Sequence, residues 1–121
     1  MKIEKVNIQS KLDTFSEYWN PKIIGTLNNQ LVKIAKVKGD FVMHKHELED
    51  ELFLVIQGKL YIELKDKTLE LLPGEFVIIP KGIEHRPFAP KETCIMLFEP
   101  KTTLNTGNVK SNLTVKKLDE L

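Results

Sequence analysis

The feature that most constrains this chain is a series of short, apolar, β-prone runs between residues 23 and 98, each closed by a turn signal. Run 30–37 is followed by Lys38-Gly39, which opens run 40–46. Run 51–56 ends at Gln57-Gly58, and run 60–64 at Lys65-Asp66-Lys67. Run 68–72 ends at Pro73-Gly74, run 75–79 at Pro80-Lys81-Gly82, and run 93–98 at Glu99-Pro100. No helical periodicity intervenes. Strands of this length and spacing predict an all-β sandwich or barrel. Gly58, Gly74 and Gly82 suit tight turns because glycine takes positive φ without strain.

The flanks differ in texture. Ser10 and Asp13 have the spacing of a capping box, and Leu12, Phe15 and Trp19 fall on one helical face. A short helix over 10–19 is therefore expected, stopped by Asn20-Pro21. The chain divides into an N-terminal helical or extended segment (1–22), a barrel (23–100) and a polar C-terminal tail (101–121). In the tail, Asn105-Thr106-Gly107-Asn108 reads as a turn and Leu113-Thr114-Val115 as a candidate last strand; the tail either wraps the barrel or frays.

With 121 residues and 41% apolar content, one domain can bury a core without disulfides. The formal net charge of +1 offers no electrostatic footprint for nucleic acid or an anionic membrane. No run approaches the ~18 apolar residues of a membrane helix. The opening Met1-Lys2-Ile3-Glu4-Lys5 leads into no apolar signal core, which makes the final Leu118-Asp119-Glu120-Leu121 a chance similarity to a retention tail. The single cysteine, Cys94, sits in an apolar run and reads as a small core residue, so a reducing, cytoplasmic setting is expected.

The chain has three histidines, His44, His46 and His85. On a strand, His44 and His46 present two imidazoles on one face, with Val42 beside them and Phe41, Met43 and Lys45 opposite. Glu51 opens the next run and can lie across from the pair. Imidazoles with a carboxylate suit transition ions better than Ca or Mg. Taken alone, a His-x-His is more often a pair of surface histidines on an edge strand.

The surrounding residues weigh against that reading. From Gly39, four residues lead to His44-Lys45-His46, four more to Glu51, and six more to Gly58. From Gly74, five residues lead to Pro80-Lys81-Gly82, and two more to His85. These stretches resemble the two motifs of the cupin superfamily, and the chain is similar to a small single-domain cupin. It departs from the pattern in having four rather than five residues between Gly39 and His44, and Ala89 where the second motif has Asn.

The resemblance implies a cupin double-stranded β-helix, or jelly-roll barrel, with a short N-terminal helix. It implies His44, His46, Glu51 and His85 as ligands of a divalent transition metal such as Mn, Fe, Ni or Zn. It also implies a homodimer, for which the Leu52, Leu54, Ile56 face is one contact surface; packing under the N-terminal helix is its alternative use. Function divides into two classes. One is a metal-dependent enzyme acting on a small organic molecule, of the dioxygenase or sugar isomerase/epimerase kind. The other is a non-catalytic module that binds a small ligand or metal. Catalytic residues other than the ligands are unknown: Glu49, Glu84, Tyr61 and Arg86 are the nearby polar candidates, each with a solvated surface role as its alternative.

Overall fold

The computed structural model describes residues 2–121. One helix, α1 (Ile8–Leu12), precedes seven strands: β1 (Lys22–Leu27), β2 (Gln30–Asp40), β3 (Glu51–Gln57), β4 (Leu60–Glu63), β5 (Thr68–Leu71), β6 (Phe76–Ile79) and β7 (Arg86–Pro100). Among the described residues, no helix is long and apolar enough to cross a membrane.

The strands pair with one another antiparallel throughout, and the hydrogen-bonded order is β1-β2-β7-β3-β6. The β4–β5 hairpin branches from the first residues of β7, where Tyr61 pairs with Phe88 and Glu63 with Arg86. The sheet is thus open, ending on β1 at one side and β6 at the other. This corrects the expected closed jelly-roll barrel. The reason lies in residues 41–50, which leave the ladder. Of the expected strand 40–46, only Asp40 lies in a strand, and only the isolated His44–His85 bridge pairs further on. The open sheet still folds over one core. Ala35, Val37, Phe53, Val55, Leu60, Ile62, Leu71, Ile79, Ala89, Ile95 and Leu97 form a single buried cluster drawn from six strands. Ala89 is fully buried there.

The other face of β2 and β7 is covered by α1. Leu12, Ile34 and Cys94 are buried together, with Ile8, Phe15, Ile24, Ile56 and Met96 packed around them. Cys94 is a buried free thiol, and burial pushes its pKa up, which suits a packing residue. The helix starts earlier than expected and is shorter. Asn7, not Ser10, is its N-cap, with Asn7 Oδ1 accepting the Ser10 amide at 2.9 Å. It ends at Leu12, so Phe15 and Trp19 lie beyond it. Trp19 has a φ of 58°, which turns the chain toward the core.

Strand β1 was not among the predicted runs. It joins β2 through Asn28-Asn29, both with positive φ (47° and 66°), the arrangement of a two-residue type I′ hairpin. The tail does wrap the sheet. Ile23 N donates to Asp119 O (2.9 Å) and Leu121 N to Ile23 O (3.0 Å), covering the edge that β1 would otherwise expose. The buried Lys22 ammonium bonds Asp119 (3.0 Å) and Glu17 (3.1 Å). Burial works against its charge, but these carboxylates prevail and raise its pKa. Residues 113–115 form no strand; they close a turn in which Asn105 accepts the Val115 amide and donates to Leu113 O.

Candidate metal centre

His44, His46, Glu51 and His85 converge. One ligand atom from each lies within 4.8 Å of all the others, and each residue is at most 4% exposed. Ring centroids are 4.3 Å apart for His44–His85 and 4.9 Å for His44–His46. The convergence has a local cause. Antiparallel pairing sets His44 against His85, with His44 N donating to His85 O at 3.0 Å and His85 N to His44 O at 2.8 Å. Gly82 N reaches His46 O at 2.7 Å. Glu51, the first residue of β3, faces the core with Phe53 and Val55 because strand side chains alternate.

The backbone sets the imidazole tautomers. His44 Nδ1 lies 2.8 Å from Val42 O and His85 Nδ1 2.9 Å from Ile83 O. A carbonyl only accepts, so each Nδ1 carries the proton and each Nε2 keeps its lone pair for the centre of the cluster. His85 Nε2 then faces Glu51 Oε1 at 3.1 Å, lone pair against lone pair, which a proton or a metal cation between them resolves. The His46 Nε2 atom is buried and makes no aligned hydrogen bond, with Glu51 Oε1 3.4 Å away. A buried set of three imidazoles and a carboxylate, one imidazole nitrogen of which has no hydrogen bond, is a donor set that suits a transition ion. The cluster is therefore a His/Glu site capable of chelating a metal ion.

Electrostatics agree. Burial, reinforced by the neighbouring His85, lowers the His44 pKa to about 4, so its imidazole is neutral near pH 7. Burial alone would push the Glu51 carboxyl upward. Contacts with Glu99, His46 and His85 outweigh it and hold Glu51 well below the usual carboxylate range.

A measurable consequence follows for the metal-free chain. Between pH 6.5 and 4 the unfolded chain takes up a proton at His44 that the folded chain refuses. Stability therefore falls as pH drops through that window, by up to about 3 kcal/mol from this residue, and is independent of His44 above it. Urea unfolding of chelator-treated protein at pH 7.5 and 4.5 should show the loss, and His44→Gln should shrink it; an equal pH slope in the variant would refute the assignment.

A small cavity adjoins the cluster, walled by Trp19, Phe41, Phe53, Ile95 and Leu97, with His44, Glu51, Glu99 and Asn105 as polar lining. Its volume is about 40 Å³, room for roughly three waters. Phe41 stacks on Trp19 (4.8 Å between centroids) and meets His44 edge-on (5.3 Å). Phe41 was expected to point away. Strand parity fails there because 41–46 is not a continuous strand.

Two residues beside the cluster were not anticipated. Lys33 Nζ donates to Glu99 Oε1 at 2.9 Å, and both side chains are 2% exposed. Burial, then the charge of Glu51, pushes the Glu99 carboxyl well above its usual range. Its Oε2 has no donor within reach. Of the two neighbouring carboxyl groups, Glu99 is thus the one that takes a proton more readily, and Lys33 is the charge that opposes this. A signal was present in sequence: Lys33 shares the parity of Ala35 and Val37, and Glu99 that of Ile95 and Leu97, so both sit on the core face. The polar candidates named from sequence lie elsewhere. Arg86 pairs with Asp40 and Glu63, Tyr61 stacks on Phe88, Glu49 accepts from Thr102, and Glu84 is exposed.

Comparison with known proteins agrees with the resemblance carried by the two motifs. The chain is similar to the protein YdbB of Bacillus subtilis (strain 168), 37% identical over 79 residues that cover 64% of this chain and 70% of that one. It is similar to an acireductone dioxygenase of Leishmania braziliensis, 33% identical over 66 residues, half of this chain but only 19% of that enzyme. Among solved structures, a cupin-2 domain containing protein from Shewanella frigidimarina superposes with a TM-score of 0.79 at 41% identity, covering 79% of this chain and 94% of that one. Residues 30–99, which carry all four clustered side chains, match the cupin domain family, and the chain belongs to it.

Proposed function

We propose that His44, His46, Glu51 and His85 hold a divalent transition metal, of the Mn, Fe, Ni or Zn type, and that the domain is a metal-dependent enzyme acting on a small organic molecule. The observation that carries the reading is the buried, converging donor set, with His46 Nε2 left without a hydrogen bond, opening through His44 and Glu51 onto an apolar cavity. Four protein ligands on a six-coordinate ion leave positions for water, substrate or both; such an ion supplies Lewis-acid or oxygen-activating chemistry when bound. The protein's share is to exclude bulk water with Trp19 and Phe41 and to orient the ligands through the Val42 and Ile83 carbonyls. The cavity's size and aromatic lining favour a compact, poorly hydroxylated substrate. That, with the partial likeness to an acireductone dioxygenase, supports a dioxygenase over a sugar isomerase or epimerase.

Protein purified without chelator should contain close to one equivalent of transition metal, read by elemental mass spectrometry, and should rebind one equivalent after stripping. Failure to bind any first-row ion would end the metal reading.

The reading includes a homodimer. Phe76 (60% exposed) and Ile78 (53%) on β6, the edge strand, stand beside Leu54 and Leu52 in the ladder, an apolar strip with no cover among the described residues. Ile56 does not belong to it, being packed under α1. Light scattering should give twice the 14.0 kDa chain mass, and Phe76→Glu should give the monomer. A monomeric unaltered chain would exclude this assembly.

A further inference from the structure

The segment that holds two of the four clustered residues is irregular, so something other than a sheet must fix it. On one side the backbone of His44 pairs with His85. Along an extended segment, successive N–H and C=O groups point to opposite sides, so those of Lys45, between the two histidines, face away from His85. They meet a single residue of the tail. Asn108 Oδ1 accepts the Lys45 amide at 3.0 Å, and Asn108 N donates to Lys45 O at 3.1 Å. One asparagine thus does for Lys45 what a neighbouring strand would do.

Gly107 makes the approach possible. Its φ is +55°, and a Cβ there would lie 2.2 Å from Lys45 O and 3.1 Å from His44 Cδ2, the ring carbon bonded to the Nε2 that faces the cluster. Neither a side chain nor an ordinary backbone conformation fits. The turn is anchored in turn: Gly107 N donates to Leu104 O, Thr106 is fully buried with its hydroxyl on Thr114, and Asn105 is bonded to Leu113 and Val115.

We propose that Gly107-Asn108 is a positioning element of the metal centre. It holds the Lys45 backbone, and with it His44 and His46, in ligating register, so that metal affinity depends on a turn outside both sequence motifs. The inference rests on the metal reading above.

The test uses the full chain and Co²⁺ as the probe. Affinity is read by titration, ligand-field geometry by the visible Co²⁺ spectrum, and folding of the metal-free protein by thermal melting. Asn108 is exposed, so Asn108→Ala removes the side-chain half of the clasp, the acceptor of the Lys45 amide, and leaves the backbone N–H on Lys45 O without opening a core cavity. It should weaken Co²⁺ binding about tenfold and alter the spectrum, in the range seen when groups supporting metal ligands are lost. Asn108→Asp keeps the acceptor oxygen and should restore affinity to within about threefold. Gly107→Ala should be the more severe, near a hundredfold. The solvent-facing Asn112→Ala should change nothing. Wild-type affinity and spectrum in both Asn108→Ala and Gly107→Ala would overturn the positioning role and leave the metal reading standing. Should Gly107→Ala fail to fold, Asn108→Ala decides alone. No Co²⁺ binding by the unaltered chain would overturn the metal reading, and the positioning role with it.

Discussion

Replacing His85 with alanine should abolish stoichiometric metal binding, lowering affinity by at least about a hundredfold, because a ligand matters no less than the groups that orient it. His85 is the most consequential of the four. Its ring is 1% exposed, its Nε2 lies 3.1 Å from Glu51 Oε1, and its backbone holds His44 in register. Alanine keeps the backbone bonds and removes the ring, so the loss reports ligation rather than unfolding. Glu51→Gln is the complementary probe. It preserves shape but removes the one negative charge that offsets a divalent ion, and affinity should fall at least about tenfold. The metal-free variants should still melt in one cooperative transition, which separates lost ligation from unfolding. Metal content unchanged in His85→Ala would remove His85 from the ligand set, and unchanged content in Glu51→Gln would do the same for Glu51.

The centre was legible in sequence to the extent that its residues lie at fixed short separations. Glu51 alternates inward from the start of β3, and Gly58, Gly74 and Gly82 do adopt the positive φ their turns require. What failed were inferences that needed continuity. Parity across 41–46 misplaced Phe41 because that segment has no ladder to enforce alternation. The expected run 93–98 is the second half of β7, which begins at Arg86 and runs through Pro87 and Pro90; it pairs with β4 in its first residues and with β3 further on, and Pro87, which has no N–H, gives its carbonyl to Phe41 N. The Asn28-Asn29 hairpin lacks the glycine that usually marks one, so β1 passed unnoticed. Closure of the barrel was expected from the resemblance, whereas hydrogen bonding depends on where each strand's edge meets another, and β1 and β6 do not meet. The tail's contribution could not be read at all, since nothing local to Gly107 or Asn108 indicates that they rest on His44 and Lys45.

Lys33→Met should destabilise the chain by about 3 kcal/mol at pH 8, the range for breaking one side of a buried ion pair. Lys33 and Glu99 are each 2% exposed and bonded at 2.9 Å, and Lys33 is the cation bonded to that carboxylate. Without it, an ionised Glu99 would stand beside ionised Glu51 in a cavity walled by aromatic and aliphatic side chains. The cost has a ceiling, because Glu99 can escape by taking a proton. Its pKa in the folded chain is already raised by burial and by Glu51, and losing Lys33 raises it further. An acid whose folded pKa lies above its unfolded one loses stability as pH rises, since the unfolded chain releases the proton first. The penalty in Lys33→Met should therefore grow from pH 5 to pH 8. Adding Glu99→Leu removes the stranded carboxylate, and the double variant should recover most of the loss, since a buried pair exchanged for apolar groups of similar volume is often neutral. Denaturant unfolding of the metal-free proteins measures all three. A single variant as stable as the parent at pH 8, or a double variant no better than the single, would show that the pair does not balance charge beside Glu51. If it does, its place is explained: a carboxylate that must stay ionised to receive a cation is easier to keep so when the next carboxyl group is held by a lysine of its own.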